Sequence, residues 1–146
     1  MTTRIQTAHR IRRARNEEAL QVQGLLPLGL VGAAHDEEGE AMVFIAEEQG
    51  QQVALCSVCV IDSQVVYLRD LWVAPRYRSR GILKHLLRRV MQQLKALGYR
   101  EIAVRTSTEE PSLLRMFASL GLEVYAIESE VPKRVRRWRG KLAAVA

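Results

Sequence analysis

Three arginines, Arg76, Arg78 and Arg80, alternate with small or polar residues just before a helical pattern begins after Gly81. A helix start presents backbone N–H groups without partners and the positive end of the helix dipole. Glycine there lets a ligand approach the backbone closely. With the guanidinium groups, these N–H groups form a cradle that suits an anion such as a diphosphate. The alternative is a surface helix whose arginines are only solvated, and the spacing alone leaves both interpretations open.

The elements on either side of this loop are well marked. Residues 65–73 are mostly β-branched, aromatic or aliphatic, as is typical of strands, and Pro75 has no N–H group to give to a ladder. Apolar residues recur at helical spacing from 82 to 97, and Gly98 suits the left-handed position after a helix. The sequence therefore predicts a strand, a tight basic loop and a helix between residues 65 and 97.

The run LWVAPRYRSRGILKHLL resembles motif A of the GCN5-related N-acetyltransferase (GNAT) superfamily, which is Gln/Arg-x-x-Gly-x-Gly/Ala after a strand and a proline. Arg78 and Gly81 match this pattern, whereas Leu83 stands where the family usually has Gly or Ala. YLRDLWV resembles the fourth strand of the family, and LRMFASLGLEV resembles its motif B. The resemblance covers roughly residues 40–131, with a weaker match in IRRARNEEA.

This resemblance implies both a fold and an activity. The implied fold is α/β (α+β), with a mixed, mostly antiparallel central sheet of about six or seven strands and helices on both faces. The implied activity is acetyl-CoA-dependent N-acetyl transfer to a primary amine of a small molecule or protein, by direct attack in a ternary complex. A single domain over residues 1–146 is expected, because the chain shows no repeat, low-complexity tract or linker.

Carried over residue by residue, the resemblance assigns the co-substrate acetyl-CoA to two neighbouring stretches. Its pantetheine arm would pair with the backbone of a strand that splays from its neighbour, and its diphosphate would lie in the loop before the helix. The expected cofactor-binding residues are Leu71, Trp72 and Val73 for the arm, and Arg78, Ser79, Arg80, Gly81, Ile82, Leu83 and Lys84 for the diphosphate. No metal is expected.

One departure from the family pattern concerns the leaving thiolate. The family often has a tyrosine as its proton donor, where this chain has Phe117 when aligned on Gly121 and Leu122. A thiol with a pKa of about 8.5 can leave without such help. Phe117 and Leu83 nevertheless motivate an alternative function, a catalytically weak or inactive CoA-binding sensor or partner-binding module.

Asp70 is the candidate general base, because YLRDLWV resembles the YLEDL strand of the diamine acetyltransferases and keeps its aspartate. The glutamate of that strand is Arg69 here, which disfavours a polyamine acceptor. Neighbouring residues of a strand face opposite ways, so only one of the two is expected to face the site. A structural salt bridge is the alternative role for Asp70, and Glu109, Glu110 and Tyr125 are weaker candidates for the base.

Composition excludes several classes of protein. Of 146 residues, 48% are apolar and 26% are charged, which is typical of a globular domain. No apolar run approaches the roughly 20 residues that span a bilayer, so we expect no membrane partner and a cytoplasmic location. Cys56 and Cys59 lie on a predicted strand, where residues three apart face opposite sides. We therefore expect packing residues rather than a redox or zinc pair.

The chain is basic, with a net charge of +6 and a pI near 9.8. This charge suits an anionic ligand, and CoA accounts for part of it. Nucleic acid is a disfavoured partner, because the basic residues near both termini lack aromatic interleaving and any recognised motif. The acceptor amine is unknown, since the connection at 25–40, which holds His35, carries no readable code. A homodimer stays open, and residues 133–141 are either a seventh strand or a basic tail.

Overall fold

A computed structural model describes residues 10–14, 41–77, 81–107, 109–130 and 133–145. The strands within these residues are β1 (Arg10–Arg13), β2 (Ala41–Glu48), β3 (Gln51–Val60), β4 (Val65–Val73), β5 (Glu101–Thr106), β6 (Glu123–Glu130) and β7 (Lys133–Lys141). The helices are α1 (Ile82–Ala96), between β4 and β5, and α2 (Pro111–Ser119), between β5 and β6. Short 3-10 turns occupy Pro75–Tyr77 and Leu142–Ala144. Residues 15–40, which include most of the segment IRRARNEEA and the connection at 25–40, and the loop residues 78–80 lie outside the described residues.

The described strands form one sheet in the order β1-β2-β3-β4-β5-β7-β6. Every neighbouring pair is antiparallel except β4 and β5. This pair is parallel because α1 returns the chain to the same end of the sheet. The predicted fold class, a mixed and mostly antiparallel sheet, is therefore confirmed. Residues 133–141 form an inserted strand between β5 and β6, so the alternative of a basic tail is wrong.

Both described helices pack on the same face of the sheet, which we call the helix face. Alternate residues of the strands share one buried cluster there with the apolar sides of α1 and α2; the members include Phe44, Cys56, Leu68, Val104, Leu86, Val90 and Phe117. The opposite face carries a smaller cluster of Val43, Ile45 and Leu55, against which Trp72 packs. Whether a helix covers that face, as predicted, depends on residues outside the described ranges.

α1 ends where the sequence predicts, and a proline marks the start of α2. α1 ends before Gly98, whose φ of 98° is in the left-handed region. Pro111 is the first residue of α2, where its missing N–H group leaves no intrahelical bond unmade. These local signals therefore position both helices along the chain.

β4 separates from β5 part-way along its length. The parallel ladder ends at Leu68 and Val104, although both strands continue beyond it. At the same point the register between β3 and β4 shifts, because Ser57 opposes Asp70 while the next residue of β3 opposes Leu68. Arg69 is thus the extra residue of a β-bulge, which bends a strand and increases its twist. We call the space that opens between β4 and β5 beyond this bulge the gap.

The aromatic pair under α2 gives a test of the core. The rings of Phe117 and Trp138 lie 5.5 Å apart between centroids, and Phe117 is fully buried. Phe117→Ala leaves a cavity, so we expect the free energy of unfolding to fall by about 3–5 kcal/mol. The control Leu97→Ala, at a position 61% exposed, should change it by less than about 0.5 kcal/mol. Denaturant unfolding measures both, and equally small losses would contradict the buried position of Phe117.

Candidate active site

A cleft of about 570 Å³ opens on the helix face, where β4 ends. Its volume is in the range of roughly 300–1,000 Å³ that is usual for small-molecule sites. One wall is formed by the end of β4 and the start of α1, and the other by the start of α2. The lining residues are Val73, Tyr77, Gly81, Ile82, Leu83 and Lys84 on the first wall and Glu110, Ser112, Leu113 and Met116 on the second.

The start of α1 faces this cleft without a side-chain cap. The first intrahelical hydrogen bond runs from the His85 N–H group to the Gly81 carbonyl oxygen at 3.0 Å. The N–H groups of Ile82, Leu83 and Lys84 therefore precede the helical ladder and have no acceptor within it. No acidic residue lies in the first turn to neutralise the helix dipole. These donors, together with the ammonium group of Lys84, suit an anion.

Gly81 itself has a φ of 74°, in the left-handed region. A Cβ atom built there would meet nothing within 4 Å. The backbone conformation, rather than a lack of space, therefore favours glycine at this position. Leu83, which stands where the family usually has a smaller residue, is half-buried against the core of the helix face and also lines the cleft.

The backbone of β4 presents alternate peptide groups to the gap. The Ala74 N–H group donates to the Val53 carbonyl oxygen at 2.8 Å. Peptide groups of successive strand residues point to opposite sides, so those of Trp72 also point to β3 and those of Leu71 and Val73 point to the gap. Of the three residues expected to bind the arm, Leu71 and Val73 thus present their backbone there. Trp72 instead packs its side chain on the opposite face.

Asp70 lies at the bulge, buried on the face opposite to the helices, with an exposed fraction of 1%. Its carboxylate accepts a hydrogen bond from Ser57 Oγ and another from Arg69 Nε, the latter at 3.1 Å. The expectation that Arg69 and Asp70 face opposite ways is wrong, because the bulge breaks the alternation of the strand. The Asp70 carboxylate is therefore both the candidate base and the acidic partner of a salt bridge with Arg69.

A profile of the acetyltransferase (GNAT) family matches residues 8–122. The chain belongs to the acetyltransferase (GNAT) family. This membership confirms the resemblance stated above, and it agrees with the predicted class of enzyme, an N-acetyltransferase. The GNAT match extends from the region of β1 to the end of α2 and includes the cleft, the gap and Asp70.

One relative of this GNAT chain is similar in sequence over part of its length. The histidine N-acetyltransferase of Scomber australasicus is 36% identical over 78 residues, which are 53% of this chain and 23% of that protein. The chain thus spans less than a quarter of the length of that relative.

Two solved GNAT structures are similar over nearly the whole chain. The ribosomal-protein-S18-alanine N-acetyltransferase from Escherichia coli superposes with a TM-score of 0.74 and 13% identity, covering 92% of this chain and 94% of that one. A GNAT family acetyltransferase from Elizabethkingia anophelis with acetyl-CoA bound gives 0.70 and 13%, covering 91% and 97%. At these identities the similarity concerns the fold.

The start of α2 contributes residues to the GNAT cleft that the sequence did not single out. Ser112 and Met116 lie one helical turn apart and so line the same wall. Tyr77, in the 3-10 turn after β4, adds a phenol to the other wall. Phe117, by contrast, is buried against Trp138 and presents no group to the cleft. Helical spacing could have shown that Ser112 and Met116 share one side of α2. Only the fold brings that side close to α1.

The weaker candidates for the base lie in three different places. Glu110 lines the cleft. Glu109 accepts two hydrogen bonds from Arg136, at 3.0 and 3.1 Å, and these lower the pKa of Glu109 and make it a poorer proton acceptor. Tyr125 lies on β6 with the Arg139 guanidinium 5.0 Å above its ring. Arg78, Ser79 and Arg80, predicted to bind the diphosphate, and His35 lie outside the described residues.

Among the described residues, no three His, Cys, Asp or Glu side chains lie close enough together to hold a metal ion. None of the described helices has the length and apolar character needed to cross a membrane.

Both cysteines are buried and free, as expected for packing residues. Burial raises the pKa of the Cys56 thiol, and the nearby Asp70 carboxylate raises it further. We expect Ellman's reagent to label neither Cys56 nor Cys59 in the folded protein at about pH 8, because the thiolate is the reactive form and the reagent cannot reach buried sulfur. Both thiols should react after unfolding in guanidinium chloride. Rapid labelling of either one in the folded protein would contradict its buried position.

Proposed function

We propose that this chain is an acetyl-CoA-dependent N-acetyltransferase that acts on a primary amine in a ternary complex. The observation that supports this most is that one gap has suitable groups on both sides. On the helix face it adjoins the cleft with the N–H groups of α1. On the opposite face it begins at the Asp70 carboxylate. A molecule passing through the gap would thus have an anion site at one end and a proton acceptor near the other.

The residues present fit the parts of CoA. The N–H groups at the start of α1 and the Lys84 ammonium group would hold the diphosphate. The peptide groups of Leu71 and Val73 would pair with the amides of the pantetheine arm, as an added strand does. The N–H group of Leu71 points to the gap, where a donor would stabilise negative charge on the thioester oxygen. Acetyl-CoA would supply an activated acetyl thioester, so the protein mainly has to orient the amine.

Asp70 would accept the proton of the attacking amine. The amine nitrogen forms a bond to the acetyl carbon, the bond from that carbon to sulfur breaks, and the released proton passes to the carboxylate. The position of Asp70 at the start of the gap supports this role. Arg69 and Ser57 would hold the carboxylate in place through the hydrogen bonds described above.

A CoA-binding module without turnover is the second candidate function. The observation that favours it is the burial of Phe117, at the position where the family often has a proton donor to the thiolate. Thermal shift with acetyl-CoA and with CoA, followed by an assay of free-thiol release, distinguishes the two. Stabilisation by both ligands with no thiol release from any amine would favour the binding module.

The acceptors of similar proteins suggest where to begin the assay. The names given above point to histidine and to an alanine of a ribosomal protein, so free histidine and a peptide that begins with alanine are tested first. A polyamine is included as a control, because Arg69 is expected to disfavour a polyamine acceptor. A homodimer and a cytoplasmic location stay predictions.

Gly81→Glu tests the anion site. A carboxylate at the start of α1 would repel the diphosphate and occupy the cleft, so we expect the affinity for acetyl-CoA to fall by about 100-fold or more. Gly98→Glu is the matched control, because Gly98 also has a left-handed φ and open space around it but lies outside the cleft. Titration calorimetry measures both affinities. Normal binding by Gly81→Glu, or an equal loss in the two variants, would show that the site is elsewhere.

Asp70→Asn tests the base. The amide keeps the shape of the side chain and can still accept a hydrogen bond from Ser57, but it cannot take a proton. We expect kcat to fall by about 100-fold or more while the Kd for acetyl-CoA stays the same. Glu109→Gln, which removes an exposed carboxylate paired with Arg136, should leave kcat unchanged. Wild-type turnover by Asp70→Asn would remove Asp70 from this role.

A further inference from the structure

The face opposite to the helices carries a pair of arginines next to the gap. Val104 belongs to the core of the helix face, so its neighbour Arg105 points to the opposite face. Arg105 is paired with Arg137 in the ladder between β5 and β7, and paired residues project to the same side. Arg105 is also the first residue of β5 beyond the end of the ladder with β4. Arg105 therefore lies on the wall of the gap, and Arg137 lies beside it on the next strand.

Arg105 has an unsatisfied donor. Its Nε atom is buried and has no hydrogen-bond partner among the described residues. Glu128 Oε2 is 3.9 Å from Arg105 Nη2, which is too far for a hydrogen bond. A buried donor without an acceptor is rare in folded proteins and often indicates a group that the structure lacks. An incoming carboxylate would supply that acceptor.

Arg137 adds a second guanidinium group on the neighbouring strand, and this group forms an ion pair with Glu128. Its Nε atom is 2.7 Å from Glu128 Oε1, but the contact is too poorly aligned for a hydrogen bond. Hydrogen bonding with Tyr125 and the charge of Glu128 raise the pKa of Arg137, which therefore stays charged. Glu128 is the acid that faces both arginines, so the two guanidinium groups share one carboxylate.

The other wall of the gap, formed by β4, carries a carboxylate instead of guanidinium donors. Asp70 is buried there, with Arg69 Nε and Ser57 Oγ as its donors. The two strands are about 4.8 Å apart where their ladder ends, so Arg105 begins about one strand spacing from β4, and Arg137, on β7, begins about two strand spacings from it. A small acceptor could therefore contact both walls at once.

We propose that the acceptor is a primary amine that also carries a carboxylate, of the amino-acid class, and that Arg105 and Arg137 bind this carboxylate while the amine faces Asp70. The proposal rests on the proposed function and narrows its acceptor. A planar guanidinium group matches a carboxylate through two parallel hydrogen bonds, which orient the ligand as well as attract it.

The same charges exclude other acceptors. A polyamine brings several positive charges towards Arg69, Arg105 and Arg137 and has no group for them to bind. In a peptide, the carboxyl group of the first residue is part of an amide bond, so it carries no charge for the arginines to bind. Both kinds of acceptor should therefore be poor substrates, and they are alternative outcomes of the test.

The test compares acceptors that differ only in the carboxylate. The twenty standard L-amino acids are assayed by free-thiol release from acetyl-CoA, and the best one is then compared with its carboxamide and its decarboxylated amine. We expect kcat/KM for the amino acid to exceed that for either analogue by about tenfold or more. A carboxamide, a decarboxylated amine, a polyamine or an alanine-initiated peptide that reacts as fast or faster would overturn the proposal.

Variants of Arg105 test whether this residue binds the carboxylate of the acceptor. Arg105→Gln should raise KM for the amino acid by about tenfold while kcat/KM for the carboxamide stays within about twofold, and Arg105→Lys should recover part of the loss. Arg88→Gln, on the exposed side of α1, is the control and should change neither value. Equal losses for both substrates in Arg105→Gln would mean that the arginine only supports the fold, and the proposal would fail.

The carboxylate site can still be tested if no acceptor is acetylated. In that case the proposed function fails, and calorimetric titration of the CoA-loaded protein with the same amino acids and their carboxamides tests the carboxylate site alone. Binding of an amino acid, but not of its carboxamide, that is lost in Arg105→Gln would support the site. No binding of any amino acid would overturn it.

Discussion

The β-bulge at Arg69 is the constraint on which the rest of the site depends. One extra residue in β4 shifts its register with β3, and at the same point the ladder with β5 ends. Because the register shift also sets which peptide groups point away from β3, Leu71 and Val73 face the gap and Trp72 does not. The bulge likewise brings the Arg69 guanidinium to the Asp70 carboxylate. A regular strand would have placed these two side chains on opposite faces of the sheet.

The gap is kept open by the elements on its two sides. α1 packs its apolar side into the core of the helix face, which positions its uncapped start beside the end of β4. On the other side, Trp138 of β7 contacts Phe117 of α2 and donates a hydrogen bond from Nε1 to Thr106 Oγ1 at 3.0 Å. This contact joins β5, β7 and α2 into one wall. Phe117 therefore stabilises this wall by packing against Trp138.

The charges of the chain are divided between the two faces of the gap. On the helix face, the donors at the start of α1 suit a diphosphate. On the opposite face, Glu128 lies near both Arg105 and Arg137, and Asp70 is paired with Arg69. Two anions, one on each of two substrates, could thus be bound on opposite faces of one sheet.

The sequence by itself determined the local structure, because hydrophobic period, proline and glycine act over a few residues. The strand at 65–73, the helix after Gly81 and the packing role of Cys56 were predictable in this way, and the motif of Arg78 and Gly81 indicated the family. Tertiary structure alone decided three other features: the bulge at Arg69, the insertion of 133–141 between β5 and β6, and the pairing of Arg105 with Arg137. Strand register and order depend on contacts between residues far apart in the chain. Neighbouring residues carry no record of such contacts, so a run of basic residues that resembles a tail can be an inserted strand of the sheet.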